Sequence, residues 1–457
     1  MAELPTASVH PVLLAQKMLM LACLTQFTPQ EKSFDGWWSD RVEHMAAAAI
    51  DVIAKEELCH NAEGLECLML EATYHANSGS MRRAFATVRR AMALGQLLGI
   101  YRGHQVSIVQ LDKNNSPFNP TYMWSQVVMA DRLFSLVLAL PQGYSSAQNA
   151  HAVTNILGDD PEEQLERQHS EIASWILDRN ERGFDDRLAT QNIDQALESA
   201  TSLLPSTWWL PANLLRINSR RDMFLSATRL VHHIHHFNLI NQTHLPYIHR
   251  PGVLFAYNKL TCATASREIL QRYLALQDSS VVAHTSHIIE FFSLIAAMTL
   301  VLVHLERLWQ DDSQELSVLA HTRSGDRAMI EKTITHMARL PTCKGPQILQ
   351  HLLEVEEEAF RTRSVGSGTI VKGFTDQDPF FELKIPYFGR LRLNSMKICF
   401  KRQAEIDEIS VSVKNNSYGP HMENFSGLDD LNFDLRAFIN DVETFEEGLE
   451  PDLTFLA

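Results

Sequence analysis

Apolar side chains recur at three- and four-residue steps along most of this chain, a spacing that predicts helices rather than strands. In residues 81–104, MRRAFATVRRAMALGQLLGIYRGH, Met81, Ala84, Phe85, Val88, Ala91, Met92 and Gly95 gather on one side of a helical wheel. On the other side Arg82 and Arg89 lie within about 20° of each other, as do Arg83 and Arg90. The same reading predicts helices over 11–26, 41–58, 63–76, 80–98, 120–138, 162–179, 185–202, 211–240, 252–276, 280–309, 325–339 and 346–359. Pro and Gly punctuate them, and DKNNSPFNP at 112–120 predicts a surface loop. The best strand-like run, 380–400, follows the Gly/Ser-rich segment 365–373. No period of about 20–50 residues repeats, which excludes a regular solenoid. The expected fold class is therefore all-α. One large irregular helical domain covers 1–420, with a short irregular or extended C-terminal part, and an acidic tail covers 421–457.

The tail changes the functional picture. Residues 421–457 hold ten acidic side chains against one arginine, so −9 of the net charge of −15 sits there. Phe433, Leu435, Phe438 and Phe445 are interleaved with those charges, the composition of activation segments that fold into a partner groove. A C-terminal helix docked on its own domain is the competing reading. The rest of the chain is mildly acidic and has no long Lys/Arg run, a poor electrostatic match for nucleic acid. The four arginines of 82–90 therefore read as the solvated side of a packed helix, with Glu66, Glu71 and Asp131 as candidate partners.

Six cysteines (Cys23, Cys59, Cys67, Cys262, Cys343, Cys399) are scattered without a CxxC pair, against a zinc module and a disulfide framework. Near the start, PVLLAQKMLMLACL lacks a basic lead and is interrupted by Gln16 and Lys17, unlike a secretory signal. The apolar run 288–303 reads as too short to cross a membrane. An intracellular protein without a membrane partner is expected.

Catalytic chemistry is sparse. In LVHHIHHFNLINQTHLPYIHR, His232, His235 and His236 have spacings that could bring two imidazoles to one zinc ion. The segment lacks the glutamate of HExxH, and its apolar positions also fit a core helix, so no metal site is assigned and these three stay weak candidates. A phosphate-binding loop, a dinucleotide turn and a nucleophile elbow are all missing from the sequence. Glu354, Glu356, Glu357 and Glu358 read as a solvated helix face. No catalytic and no DNA-binding residue is assigned, and the chain is not expected to be an enzyme.

Several segments, in order, carry a resemblance. EGLECLMLEATYHANSGSMRRAFATVRRAMALGQLLGIYRGH at 63–104 contains the Arg-Arg-Ala helix with Arg82, Arg89 and Arg90, and closes on Leu98, Gly99, Ile100, Tyr101 and Arg102. MWSQVVMADRLFSLVLALPQGYSS at 123–146 places Trp124, Asp131, Arg132, Ser135 and Pro141. HPVLLAQKMLMLA near the start, LINQTHLPYIHRP, Cys262 and Ala265-Ser266-Arg267 follow the same order. Together they resemble the middle homology region of fungal-specific transcription factors, over roughly residues 10–400. That resemblance implies a nuclear regulator of a metabolic or secondary-metabolite gene cluster, working with a DNA-bound transcription factor or a co-activator. In the family this region usually follows a six-cysteine zinc cluster. The chain opens on the regulatory region without one, so it carries no cofactor of its own, and zinc is expected only where such a cluster precedes it. Direct DNA contact is left open between this chain and a partner, as is the oligomeric state. The alternatives are a regulatory partner that titrates a full-length relative, or a metal-dependent enzyme using the His232–His249 region.

Overall fold

The computed structural model describes residues 9–26, 37–103, 108–112, 117–144, 160–183, 186–250, 252, 255–279, 287–309, 318–339, 345–364, 381–385, 389–394, 397–401 and 433–434. Its helices are α1 (Pro11–Gln26), α2 (Trp37–Ile53), α3 (Ala62–Asn77), α4 (Met81–Leu97), α5 (Pro120–Leu138), α6 (Pro161–Arg182) and α7 (Arg187–Thr201). They continue with α8 (Arg220–His244), α9 (Ala256–Asp278), α10 (His287–Trp309), α11 (Val318–Met337) and α12 (Gly345–Ser364). Every expected helix is present, and the fold is all-α apart from its C-terminal part.

Two compact units form. The first holds 1–239 and 272–291, and the second holds 240–271 and 292–457, so the division falls inside α8, α9 and α10. In the first unit α3 packs on α1 and α4, α5 on α4 and α6, and α6 on α7. Val12, Leu19, Ile53, Leu65, Ala91, Ile100, Trp124 and Val127 form one apolar core there. Gly64 is dictated by close approach: a Cβ on it would lie 2.3 Å from the Cys59 carbonyl oxygen. Gly99 ends α4 in the left-handed region at φ 75°, which explains the glycine in the Leu-Gly-Ile motif. Asn61, Asn119, Asp160 and Asp186 cap α3, α5, α6 and α7 through their side chains.

The boundaries differ where caps and turns were hidden in the pattern. Residues 211–219 are not α-helical. A 3-10 turn at Leu214–Arg216 precedes α8, whose start is set by Ser219 Oγ accepting the Asp222 N–H at 3.3 Å. α2 stops at Ile53, and Glu56–Leu58 forms a separate 3-10 turn. α11 begins seven residues before the expected start and runs through Gly325, where the missing side chain faces open space and costs no packing. α10 is longer than its 288–303 apolar run suggested. It is long and apolar enough to cross a membrane, yet that window is wholly buried in the fold, as for a core helix apolar on all sides.

In the second unit α11 packs on α12. Strands β1 (Phe381–Ile385), β2 (Gly389–Asn394) and β3 (Lys397–Lys401) form an antiparallel ribbon from the 380–400 run, with Phe381 opposite Leu393 and Leu391 opposite Phe400. A two-residue strand β4 (Phe433–Asp434) pairs in parallel with Leu383 and Lys384 of β1. Leu435, Phe438 and Phe445 lie outside the described residues.

Candidate functional site

The first constellation is built from the residues of the resemblance. Asp131 on α5 is fully buried, and Arg89 on α4 reaches it with Nε 2.7 Å from Oδ1. The other Asp131 oxygen accepts the Gly143 N–H at 2.7 Å. Arg89 also donates to the Pro141 carbonyl, which Ser135 Oγ approaches at 3.3 Å. Burial pushes the Asp131 carboxyl up, against the Gly143 N–H, Arg89 and Arg132, which favour the charged form. Gly143 has no Cβ to block the guanidinium, since one there would meet Arg89 Nη1 at 2.2 Å. The arrangement ties the loop after α5 back onto α4.

Neighbouring pairs follow the same logic. Arg90 lies 3.4 Å from Glu71 on α3 and donates to the Ile53 carbonyl at the end of α2. Glu71 also accepts from Thr87 at 3.1 Å. Arg132, buried, donates to Ser170 at 3.0 Å and Glu171 at 2.8 Å on α6. Glu66 does not serve the arginines. It accepts from the Gln16 amide, and burial raises its carboxyl above the usual range. Arg82 and Arg83 are exposed, and Arg102, exposed as well, lies against the Tyr101 ring. Trp124 packs edge-on to Tyr144 at 5.3 Å and against Tyr101 at 6.3 Å. Arg89 and Arg90 therefore fold back onto the protein, and only part of the arginine face stays in water.

The histidine segment forms a second constellation, but its three weak metal candidates do not converge. His232 faces Glu166 of α6 at 3.1 Å, and His236 Nδ1 meets His169 Nε2 at 3.0 Å. His235 is half-buried and is pushed down to about 4 by its packing and by His232. His233, whose i,i+3 spacing to His236 also suggested a pair of imidazoles, instead accepts from Arg272 Nε at 2.9 Å and stacks on Trp209 at 5.2 Å. Arg272 also donates to the Trp209 carbonyl at 2.9 Å and lies over the Phe237 ring at 4.8 Å. Among the described residues, no group of three or more His, Cys, Asp or Glu is placed to hold a metal ion. Burial holds His233 at about 3 and His236 at about 4, with the Arg272 charge acting in the same direction, and it lowers His169 well below the ordinary range. These neutral imidazoles link α6, α8, Arg272 and the 3-10 turn at Ser206–Trp209. His169, Trp208, Trp209 and Arg272 were missed from the sequence; only the adjacent tryptophans after Pro205 hinted at a packed turn.

In the second unit, Arg267 of the Ala-Ser-Arg motif grips Asp326 with two bonds of 2.7 and 2.8 Å, and His304 Nε2 meets the same carboxylate at 2.8 Å. Glu306 receives His249 at 2.9 Å and Lys259 at 3.7 Å. The glutamates of α12 are not all solvated as expected: Glu356 is buried and held by Arg323 at 2.6 and 2.8 Å. A cleft of about 470 Å³ between α6 and α7 is lined by Trp175, Asp178, Arg179, Arg182 and Asn192 among others. Two of its charged groups are engaged within the protein, Asp178 by Gln142 and Arg179 by Thr190.

Comparison with known proteins bears on this arrangement. The chain is 34% identical over 416 residues to a dehydrocurvularin biosynthesis regulator of Aspergillus terreus, an alignment covering 85% of this chain and 57% of that protein. It is 33% identical to a dehydrocurvularin biosynthesis regulator of Alternaria cinerariae, over 85% of the chain and 54% of the relative. With the probable transcription factor gsfR1 of Penicillium aethiopicum it shares 30% identity, over 86% of the chain and 58% of the relative. The chain thus spans about half the length of the curated relatives it matches. No family model and no solved structure matches it. The chain is homologous to proteins named as fungal transcription factors and biosynthesis regulators.

Proposed function

From this homology to fungal transcription regulators, we propose that the chain is the helical regulatory part of one, the middle homology region. It acts in the nucleus on the genes of a metabolic or secondary-metabolite cluster. The observation that carries the reading is the alignment with regulators over some 85% of the chain. The arginines support it, since Arg89 and Arg90 brace the α3–α4–α5 packing instead of forming a basic stripe for phosphates. DNA is reached through a partner or through sequence beyond these residues, and 421–457 supplies the activation segment. Neither the imidazole cluster nor the α6–α7 cleft supplies a nucleophile with a base and an orienting group, so the reading is regulatory rather than catalytic.

The test is a fusion of residues 421–457, and in parallel of the whole chain, to a heterologous DNA-binding domain in a fungal reporter strain. The short fusion is expected to raise reporter output, and alanine at Phe433, Leu435, Phe438 and Phe445 together to abolish the rise. If neither fusion moves the reporter, the activator reading fails.

A further inference from the structure

α8 begins in an unusual way for a helix that is otherwise packed. From Arg220 to Ser226 none of its residues is buried, and burial starts at Ala227, then Leu230, His233 and Ile234. Yet this stretch is not polar throughout. Phe224 is 69% exposed and Leu225 55%. With Arg221 they stand at three- and four-residue steps and share one helix face. Arg220 and Arg221 are exposed beside them, as is Arg216 in the preceding turn, against the single carboxylate of Asp222. The positive end of the helix dipole adds to the same field.

We infer that the first two turns of α8 are a docking face for an acidic, aromatic-bearing segment of a partner protein. Three arginines and a helix N-terminus draw carboxylates, while Phe224 and Leu225 offer an apolar contact that desolvates with an aromatic ring. Nucleic acid fits less well, because Asp222 sits within the face and a large exposed phenyl and isobutyl group contribute nothing to phosphate binding. A folded domain fits less well too. Two helical turns fall far short of the roughly 800 Å² per partner of a stable interface, but they suit a short linear segment. Partner segments of this composition are a known chemical type, and this chain's own 435–457 has it, with six acidic residues against Arg436 and with Phe438, Phe445 and Phe455. The inference does not depend on the proposed function, because it concerns only what this face binds.

The experiment places p-benzoylphenylalanine at position 224 of the full chain and adds a biotinylated synthetic peptide of the 435–457 sequence. Irradiation is expected to attach the peptide, and anisotropy to give binding near the micromolar level that weakens with salt. Arg220→Glu with Arg221→Glu is expected to weaken it about tenfold with an unchanged circular dichroism spectrum, as for exposed residues. A peptide with Asn and Gln in place of Asp and Glu should not compete, nor one with alanine for its three phenylalanines. Equal capture of the amide peptide, or unchanged affinity of the double-glutamate variant, overturns the inference. A crosslink found only within the chain or between two copies of it overturns it as well, in favour of self-docking.

Discussion

Asp131→Ala lowers the stability of the chain by about 3 kcal/mol, because it removes the carboxylate that faces the half-buried Arg89 guanidinium and leaves the Gly143 N–H without its acceptor. Asp131 has no exposed surface, and its two oxygens are taken by Arg89 at 2.7 Å and the Gly143 N–H at 2.7 Å. Arg132, also buried, is left with Glu171 and Ser170 as its partners on α6. The loss is below the upper range for buried pairs, since Arg89 is about a third exposed and can turn toward water. Asp131→Asn should cost less, about 1–2 kcal/mol, because an amide oxygen still accepts the Gly143 N–H. Urea unfolding followed by tryptophan fluorescence reads both. An alanine variant within about 0.5 kcal/mol of the parent would show that this node does not brace the fold.

Stability falls steeply as pH drops from about 7 to 5. His233 is held at about 3, and His235 and His236 at about 4, with His169 lowered as well, all below the ordinary 6.5. Between 6.5 and 4 the unfolded chain therefore binds protons that the folded chain refuses. The unfolding free energy is full above 6.5 and shrinks toward acid, by up to about 2 kcal/mol per histidine between pH 7 and 5. Glu66 and Asp131, raised by burial, act with the opposite sign but are fewer. The geometry gives the cause: a protonated His233 could no longer accept from Arg272, and a doubly protonated His169–His236 pair would place two cations at 3.0 Å. Asp326 opens a second window. Burial alone would raise it, but the bonds from Arg267 and His304 hold it down to about 2. Its contribution is present above about 3.8 and is lost as pH falls from there toward 2. Urea midpoints measured at pH 7, 6 and 5 check the first window, and a flat profile would contradict the neutral imidazole cluster. His233→Asn, which keeps an acceptor for Arg272 without titrating, should make the profile shallower.

Much of the helical body was legible because each helix buries an apolar stripe whose period is written in the chain. The arginine face was legible only by half. A helical wheel shows that Arg89 and Arg90 oppose the core stripe, but not that Asp131 and Glu71 from other helices draw them back. Glu66 looked an equally good partner and instead takes Gln16, because its place on α3 turns it toward α1. The histidines misled in the opposite direction. Their spacing suggested shared ligation, while their partners, His169, Glu166 and Arg272, lie 39 to 67 residues away or stand on another helix. Long-range polar pairing leaves no local period, and so the sequence alone could not assign it. The same limit applies to Glu356, whose burial comes from Arg323 one helix earlier.

The most direct measurement of the central claim is a transcript profile after deletion of this gene in its native host. A regulator of a biosynthetic cluster predicts that one contiguous set of genes loses expression together, and that an intact copy of the gene restores it. Unchanged transcripts across every biosynthetic cluster, under conditions in which the gene is expressed, would contradict the regulatory account.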